Sequence, residues 1–417
     1  MIESQQLQER RPVVTPPNTA TFGMFTLSSA FQPIISIPHR RAVGYEALIR
    51  PKDEQGKSCS PEALFQQAKD NELSLSLDRS CRALHIENFS RFDINNKWLF
   101  LNIDSQSLTD EKPTFECMTN VLKESQVNAD QLVIEILEHE ILDRSYLKEM
   151  INHFRSLGCL IAIDDFGAGH SNFERIWELE PDIVKLDRNL VTQAAKSPKL
   201  KRILKGIISL IHSTGCLVVL EGIETKDEAV LAIEVNADMV QGFYFATPDA
   251  HISLDPTLDQ TLSQLLQIQS TNLNQDHNVA SQRFKLLSQR FLHAIELFIA
   301  NLDLQKSTTP IFKDPRAARC FLLDEEGYQI GTSIHSPNYE QQLNNRFGPL
   351  LESNNAKWSQ KHYHYRAIRS PEQLQVSRPY LSATDLRLCI TVSIAIKVNR
   401  AVYVYCCDLN WQENEPL

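Results

Sequence analysis

Leu160-Ile161-Ala162-Ile163-Asp164-Asp165-Phe166-Gly167-Ala168-Gly169 is an apolar run that ends in two adjacent carboxylates and a glycine-rich turn. Alternation along a strand puts Asp164 on one face with Ala162 and turns Ile161 and Ile163 the other way. Asp165 falls where the strand is ending, so its side chain can swing beside its neighbour. Two carboxylates so placed can share and bridge divalent cations. Taken alone, the stretch reads equally well as a strand end followed by an Asx-type turn. The rest of the chain decides between the two.

The same design recurs. Trp98-Leu99-Phe100-Leu101 ends in Asn102, Leu132-Val133-Ile134 in Glu135, and Asp182-Ile183-Val184-Lys185-Leu186 in Asp187. Leu217-Val218-Val219-Leu220 ends in Glu221 and Met239-Val240 in Gln241. Helical patterns separate these runs, for example Ser145 to Leu157 and Leu200 to Ser213. Strand–helix alternation over about 220 residues predicts parallel strands with helices outside, and so many units favour a closed (β/α) barrel over an open sheet. No Gly-x-Gly-x-x-Gly follows an early strand, which weakens a dinucleotide-fold reading.

In such a barrel the site lies at the C-terminal strand ends, where Asn102, Glu135, Asp164, Asp187 and Glu221 fall. Parity gives them a common destination. Phe100 and Asn102 share a face, as do Val133 and Glu135, and Val219 and Glu221. Leu99, Leu101, Ile134, Val218 and Leu220 then pack outward on the helices. A rim of carboxylates with one amide selects hard cations, Mg²⁺ or Mn²⁺ rather than Zn²⁺, and two ions would relieve the mutual repulsion. Lys185 has the parity of Ile183 and Asp187 and projects into the barrel. It pairs there with rim carboxylates, either to hold a water or phosphate oxygen or as a purely structural ion pair.

Composition sets outer bounds. The 417 residues suffice for two domains. A net charge of -10 argues against a nucleic-acid polymer or an anionic membrane as the main partner. No apolar run reaches the length of a membrane span, and no signal-peptide pattern opens the chain. Nine cysteines without a Cys-x-x-Cys pair read as reduced, mostly buried thiols, with Cys406-Cys407 as strand filling, in a cytoplasmic protein.

These residues resemble the EAL family of cyclic-di-GMP phosphodiesterases. Its naming signature stands as Glu46-Ala47-Leu48, within Tyr45-Glu46-Ala47-Leu48-Ile49-Arg50. Phe31-Gln32-Pro33-Ile34 precedes it. Leu99-x-x-Asn102, Glu135-x-x-Glu138, Asp164 to Gly169, Lys185-x-Asp187, Glu221-Gly222-Ile223-Glu224 and Gln241-Gly242-Phe243 follow in order.

The resemblance implies a modified (β/α)8 barrel that linearises cyclic-di-GMP to pGpG with two Mg²⁺ or Mn²⁺ ions. It implies that Glu46, Asn102, Glu135 and Asp164 hold one ion, and that Asp164 bridges to a second held by Asp165 with Asp187 or Glu221. Lys185 is then the residue that orients the attacking water and Glu221 the candidate base. Gln32, Glu46, Leu48, Arg50 and Gln241 line the nucleotide site. Glu138 and Glu224 act behind the ligands, setting loop positions. Two positions depart from the family pattern: Leu137 stands where Thr is usual, and Ala168 where the loop commonly has Thr. Both implicate the loop after Asp165, so reduced or regulated activity is expected.

The implied layout is a disordered leader over 1–22, the EAL domain over 23–255, a helical connector over 256–305 and a smaller α+β domain over 306–417. In the connector, Thr257 to Gln269 and Ala280 to Leu302 read as helices around a polar break at Ser270 to His277. Phe284, Leu287, Phe291, Ala294, Ile295 and Phe298 form an apolar stripe that favours a homodimer. The last part reads as β-rich. Cys320 to Leu323 and Tyr328 to Gly331 flank a turn at Asp324-Glu325-Glu326-Gly327, Tyr363 to Arg366 reads as a strand, and Leu388 to Ala395 with Ala401 to Cys406 as a final pair. It resembles PAS/Cache-like sensory modules, in which Arg378 and Tyr380 would line a pocket for an unknown small ligand or pair structurally. Two other functions compete: a catalytically silent cyclic-di-GMP receptor, and an unrelated Mg²⁺-dependent barrel enzyme.

Overall fold

The computed structural model describes residues 18–92, 96–103, 122, 125, 127–137, 144–169, 173–252, 256–337, 353–384 and 387–411, with the backbone alone at 144–146 and 272–281. The chain divides into two compact units, Met1–Ser270 and Thr271–Leu417.

In the first unit, nine strands among the described residues form one sheet. They are β1 (Ala20–Phe22), β2 (Phe25–Ser36), β3 (Arg41–Lys52), β4 (Trp98–Ile103), β5 (Leu132–Leu137), β6 (Leu160–Phe166), β7 (Ile183–Leu186), β8 (Leu217–Leu220) and β9 (Met239–Val240). Each pairs with the next, and β9 pairs back onto β2, so β2 to β9 close a barrel of eight strands. β3 to β9 run parallel, whereas β2 is antiparallel to both its neighbours. Order begins earlier than the expected leader allows, because Ala20 and Thr21 already pair with Leu27 and Thr26.

Two layers of side chains fill the barrel. Ile34, Phe100, Val133, Ala162, Ile183, Val219 and Met239 form a buried apolar cluster. At Gly44 a Cβ would meet Phe100 Cε2 at 2.7 Å and the Trp98 carbonyl oxygen at 3.0 Å, so this strand can contribute no side chain to the layer. Two residues on, toward the site end of each strand, the same face carries Gln32, Glu46, Asn102, Glu135, Asp164, Lys185, Glu221 and Gln241. One polar side chain therefore comes from each of the eight strands. The opposite parity, Leu99, Leu101, Ile134, Val218 and Leu220, is buried in the core between barrel and helices, as the alternation predicts.

The helices begin where local chemistry starts them. Ser60 accepts a hydrogen bond from the Ala63 N–H ahead of Pro61–Asp70, and Ser197 caps Pro198–Ser213, which also opens with proline. Thr225 and Glu228 form a capping box at Lys226–Glu234.

One helix, Leu258–Asn301, replaces the two expected helices and the polar break. Ser270 to His277 contains neither Gly nor Pro, and polarity without a breaker lets a helix continue. Leu262 and Leu265 belong to the core of the first unit.

In the second unit, β10 (Ala317–Leu323), β11 (Gln329–His335), β12 (Gln375–Val376), β13 (Tyr380–Leu381), β14 (Leu388–Val398) and β15 (Ala401–Asn410) form an antiparallel sheet ordered β11-β10-β15-β14-β12, with β13 paired to β14. Leu287, Phe291, Ala294, Ile295 and Phe298 are buried against this sheet with Tyr405 and Cys407. Five of the six stripe residues are thus covered within their own unit and supply no surface for pairing two copies; Phe284 is exposed. The segment expected as a strand at Tyr363 to Arg366 is a helix, His362–Arg369, because Tyr363 and Ala367, four apart, share its buried face. Tyr380 takes the structural alternative: its hydroxyl meets Thr391 Oγ1 at 2.6 Å and Asp408 Oδ1 at 3.5 Å, while Arg378 is exposed. The eight described cysteines are free, and Cys406 and Cys407 are fully buried strand residues.

Candidate active site

The polar layer converges on one ammonium. Lys185 Nζ lies 2.6 Å from Glu135 Oε1, 2.6 Å from Glu221 Oε1, 3.0 Å from Asp164 Oδ1 and 3.4 Å from Glu46 Oε2. Lys185 is 1% exposed and Glu135 0% exposed, so water cannot screen these charges. The four carboxylates outweigh burial and hold the Lys185 pKa well above its ordinary value. One positive charge does not balance four negative ones. Burial pushes Glu135 and Glu221 well above the usual carboxylate range, and Asp164 and Glu46 add to that against the opposing pull of Lys185. Glu46 moves down despite burial, because Lys185, Gln241 and Asn102 all favour its charged form.

Amides fix the orientation of Glu46. Asn102 Nδ2 donates to Glu46 Oε1 at 3.1 Å, and Gln241 Nε2 to Glu46 Oε2 at 2.6 Å and to Gln32 Oε1 at 3.2 Å. Gln32 Nε2 in turn donates to the Ala246 carbonyl at 3.2 Å.

The strand that opens with Leu160 ends as its sequence suggests, by a route the sequence does not display. Asp165 takes φ 53°, in the left-handed region, and the β6–β7 register shifts between Ile163 and Phe166. The turn closes with Ala168 N–H donating to the Asp165 carbonyl at 3.1 Å. This kink lets two consecutive carboxylates face the same space. Carboxylate oxygens of Asp164, Asp165 and Glu221 lie within 4.8 Å of one another. Burial, then the charges of Asp164 and Asp187, push Asp165 up to about 6.

These residues fit hard divalent cations. The donors are carboxylates and an amide, their charge is undercompensated, and the buried Glu135 Oε2 accepts no hydrogen bond from any described residue.

Other expected residues stand further out. Asp187 caps the helix Arg188–Lys196 by accepting from the Asn189 N–H at 2.9 Å, and it is not part of the three-carboxylate group. Glu224 pairs with Arg188 at 2.5 Å, joining the loops after β7 and β8. Glu138 lies outside the described residues. Leu48 and Arg50 line a cleft of about 450 Å³ that reaches the carboxylate group at Asn102 and is bounded by Leu137.

The far wall of that cleft was not anticipated from the sequence. Asp78 and Arg82 pair at 2.6 Å, nearly buried, and His85 Nδ1 sits 2.8 Å from Ser29 Oγ. Their signal was the i,i+4 spacing of Asp78 and Arg82 on a helix of low amphipathicity. Burial, then the nearby Arg50 charge, lowers His85 to about 3.

Known proteins share the fold of this chain and part of its sequence. Over 224 residues the chain is 30% identical to the probable cyclic di-GMP phosphodiesterase PdeB of Escherichia coli, covering 52% of this chain and 41% of that one. Over 335 residues it is 26% identical to the EAL-domain protein YkuI of Bacillus subtilis, covering 75% and 80%. The solved structure of YkuI, in complex with c-di-GMP and calcium, matches the fold with a TM-score of 0.75 at 23% identity over 93% of this chain and 96% of that one. A manganese and c-di-GMP complex of BlrP1 from Klebsiella pneumoniae matches with a TM-score of 0.51 at 26% identity, covering 58% and 61%. Many of the curated relatives extend well beyond the match, which spans 28% of YkoW from Bacillus subtilis and 53% of BluF from Escherichia coli. Residues 24–248 match the sequence profile of the EAL domain, and the chain belongs to the EAL-domain family.

Proposed function

We propose that the protein is a metal-dependent phosphodiesterase that opens cyclic-di-GMP to linear pGpG. The observation that carries this reading is the close group of Asp164, Asp165 and Glu221, part of a carboxylate layer that the single ammonium of Lys185 undercompensates. Glu46, Asn102, Glu135 and Asp164 would hold one Mg²⁺ or Mn²⁺ ion, and Asp164, Asp165 and Glu221 a second, with Asp187 supporting Asp165 from the helix cap. Bound cations supply charge that neutralises the phosphoryl oxygens and acidifies the attacking water.

The remaining work falls to the chain's own groups. Lys185 Nζ donates to that water and aligns it. Glu221, whose carboxyl burial pushes above the usual carboxylate range, would accept the proton that the attacking water gives up. Gln32, Gln241, Leu48 and Arg50 hold the nucleotide along the cleft beside Asn102. Glu224, through Arg188, steadies the loop after β8.

A cytoplasmic location, homodimerisation and regulation by the C-terminal unit, taken as a PAS/Cache-like sensory module, belong to the same reading. Among the described residues no helix is long and apolar enough to cross a membrane. A silent receptor is the second reading. The intact ligand set speaks against it, whereas Leu137 and Ala168 would lower the rate without removing a ligand.

Glu46→Ala and Asp164→Ala test the assignment. Each should abolish hydrolysis at saturating Mg²⁺ while the barrel's cooperative melting persists, since each removes a strand-end carboxylate and no core side chain. Near-normal turnover in either variant would falsify the ligand assignment.

A further inference from the structure

The far wall of the cleft beside the barrel site carries a hydrogen-bond chain whose direction can be followed atom by atom. Asn88 lies on the helix Ser74–Phe89. Its Oδ1 accepts from the Asn18 N–H at 2.7 Å, and its Nδ2 donates to the Asn18 carbonyl at 3.0 Å. A backbone donor and a backbone acceptor thus fix which end of the amide is which. The second Nδ2 hydrogen goes to Ser29 Oγ at 3.1 Å, and Ser29 Oγ lies 2.8 Å from His85 Nδ1. Asn88 is fully buried, and Ser29 and His85 are nearly so.

These bonds assign the tautomer of His85. Ser29 Oγ already accepts from Asn88, and among the described residues its own O–H has His85 Nδ1 alone to donate to. A proton on Nδ1 would leave that buried hydroxyl without an acceptor, a cost folded proteins avoid. Nδ1 therefore accepts, and the one proton of the neutral ring sits on Nε2. Burial, then the Arg50 charge, keeps the ring neutral by lowering its pKa to about 3. Nε2 has no hydrogen-bond partner among the described residues, and the ring borders the cleft. His85 thus offers a neutral N–H donor to the same cleft that Arg50 lines.

Donors of this kind select among bases. Guanine carries two acceptors, O6 and N7, along one edge, whereas adenine keeps N7 and replaces the oxygen by a donating amino group. Arg50 and His85 Nε2–H bring donors, and the carboxylate on that wall, Asp78, is engaged by Arg82 at 2.6 Å. Leu48, Ile103 and Leu137 give apolar surface for the faces of a base. On the cyclic-dinucleotide reading of the barrel site, we propose that His85 contacts the substrate and, with Arg50, reads the oxygen edge of a 6-oxopurine base. Ser29 and Asn88 are positioning residues that act through the ring. A 6-aminopurine in the same place would set its amino group against the Nε2–H, donor against donor, so rejection adds to attraction.

Equilibrium dialysis of the full chain against cyclic-di-GMP and cyclic-di-AMP, in Ca²⁺ and with the nucleotide recovered intact, compares wild type with two variants. His85→Phe keeps a flat ring and removes the donor. Ser29→Ala keeps His85 and removes the hydroxyl that orders its proton. Wild type should prefer cyclic-di-GMP, His85→Phe should narrow that preference by about tenfold, and Ser29→Ala by less. In steady-state hydrolysis the effect of His85→Phe should fall on KM far more than on kcat, since the ring faces the base and not the reacting phosphate. Nitrogen NMR of the free wild type, with His85 identified by the signals lost in His85→Phe, should show Nε2 protonated and Nδ1 bare. The proposal is overturned by a protonated Nδ1, by equal wild-type affinity for the two nucleotides, or by an unchanged preference in a folded His85→Phe. Should His85→Phe fail to fold, the preference of Ser29→Ala decides in its place, and an unchanged one overturns the proposal. Wild type that binds cyclic-di-GMP without cleaving it contradicts the enzyme and not the role of His85, whereas binding of neither nucleotide contradicts both.

Discussion

Lys185 concentrates the electrostatics of the barrel in one side chain. Its ammonium is the shared counter-charge of Glu46, Glu135, Asp164 and Glu221. Lys185→Met leaves those carboxylates facing one another in a buried space, and breaking such a pairing typically costs about 3–5 kcal/mol. The metal-free variant should therefore melt well below wild type, with much of the loss recovered at saturating Mg²⁺. Turnover should fall by roughly a hundredfold or more, as when a donor aimed at developing charge is removed. Nucleotide affinity should change far less; a variant that keeps kcat and loses affinity contradicts the role given to Lys185. His85 acts on stability instead. Its folded pKa is about 3, below the ordinary 6.5, so the unfolded chain takes up the proton first. The stability of the neutral, buried form is complete above about pH 6.5 and is lost as pH falls toward 3, at about 1.4 kcal/mol per pH unit. Denaturant midpoints of His85→Asn should show a flatter decline over that window than wild type. Parallel declines would remove His85 as the cause.

At the scale of elements, the first unit ends later than the family motifs do. Leu262 and Leu265, on the opening turns of the Leu258–Asn301 helix, are each 1% exposed in the barrel unit's core, with Leu258 and Leu266 packed beside them. A chain ending at Pro248 loses these contacts, at about 1.5–3 kcal/mol for each fully buried leucine. A chain ending at Ser270 keeps them. The chain ending at Ser270 should unfold cooperatively near the temperature of the intact barrel, and the one ending at Pro248 well below it. Coincident melting would show that these turns contribute nothing to the barrel. Strand parity was legible in the sequence because a period of two leaves no choice: Phe100 with Asn102, Val133 with Glu135 and Val219 with Glu221 share a face in the structure as in the alternation. What failed lay where local pattern and tertiary context diverge. The polar run at Ser270 to His277 looked like a break but carries no breaker. The aromatic alternation at Tyr363 to Arg366 looked like a strand, yet a helix buries Tyr363 and Ala367 together. The pattern placed the Asp165 side chain beside Asp164, but the left-handed backbone that brings it there was invisible, since nothing in an Asp-Asp pair displays a positive φ.

For the molecule as a whole, each of the eight barrel strands contributes one polar side chain to a layer above an apolar plug. Most of that layer could be placed from sequence, including Lys185 among rim carboxylates, but not which carboxylates it meets. Parity put Lys185 in the barrel beside the rim carboxylates, while the set of four that it meets, Glu46 among them, followed from the stagger of the strands around the closed sheet. Asp187 shows the converse, since it sits at the right strand end and serves as a helix cap. The central claim is that this layer, loaded with cations, cuts a cyclic dinucleotide. Incubation of the purified protein with cyclic-di-GMP in Mg²⁺ or Mn²⁺, and in parallel with chelator, followed by chromatographic resolution of the products, tests it most directly. Conversion to pGpG is expected with either metal and none with chelator. Intact cyclic-di-GMP after prolonged incubation with both metals, in a protein that nevertheless binds it, would contradict the enzyme and leave a receptor.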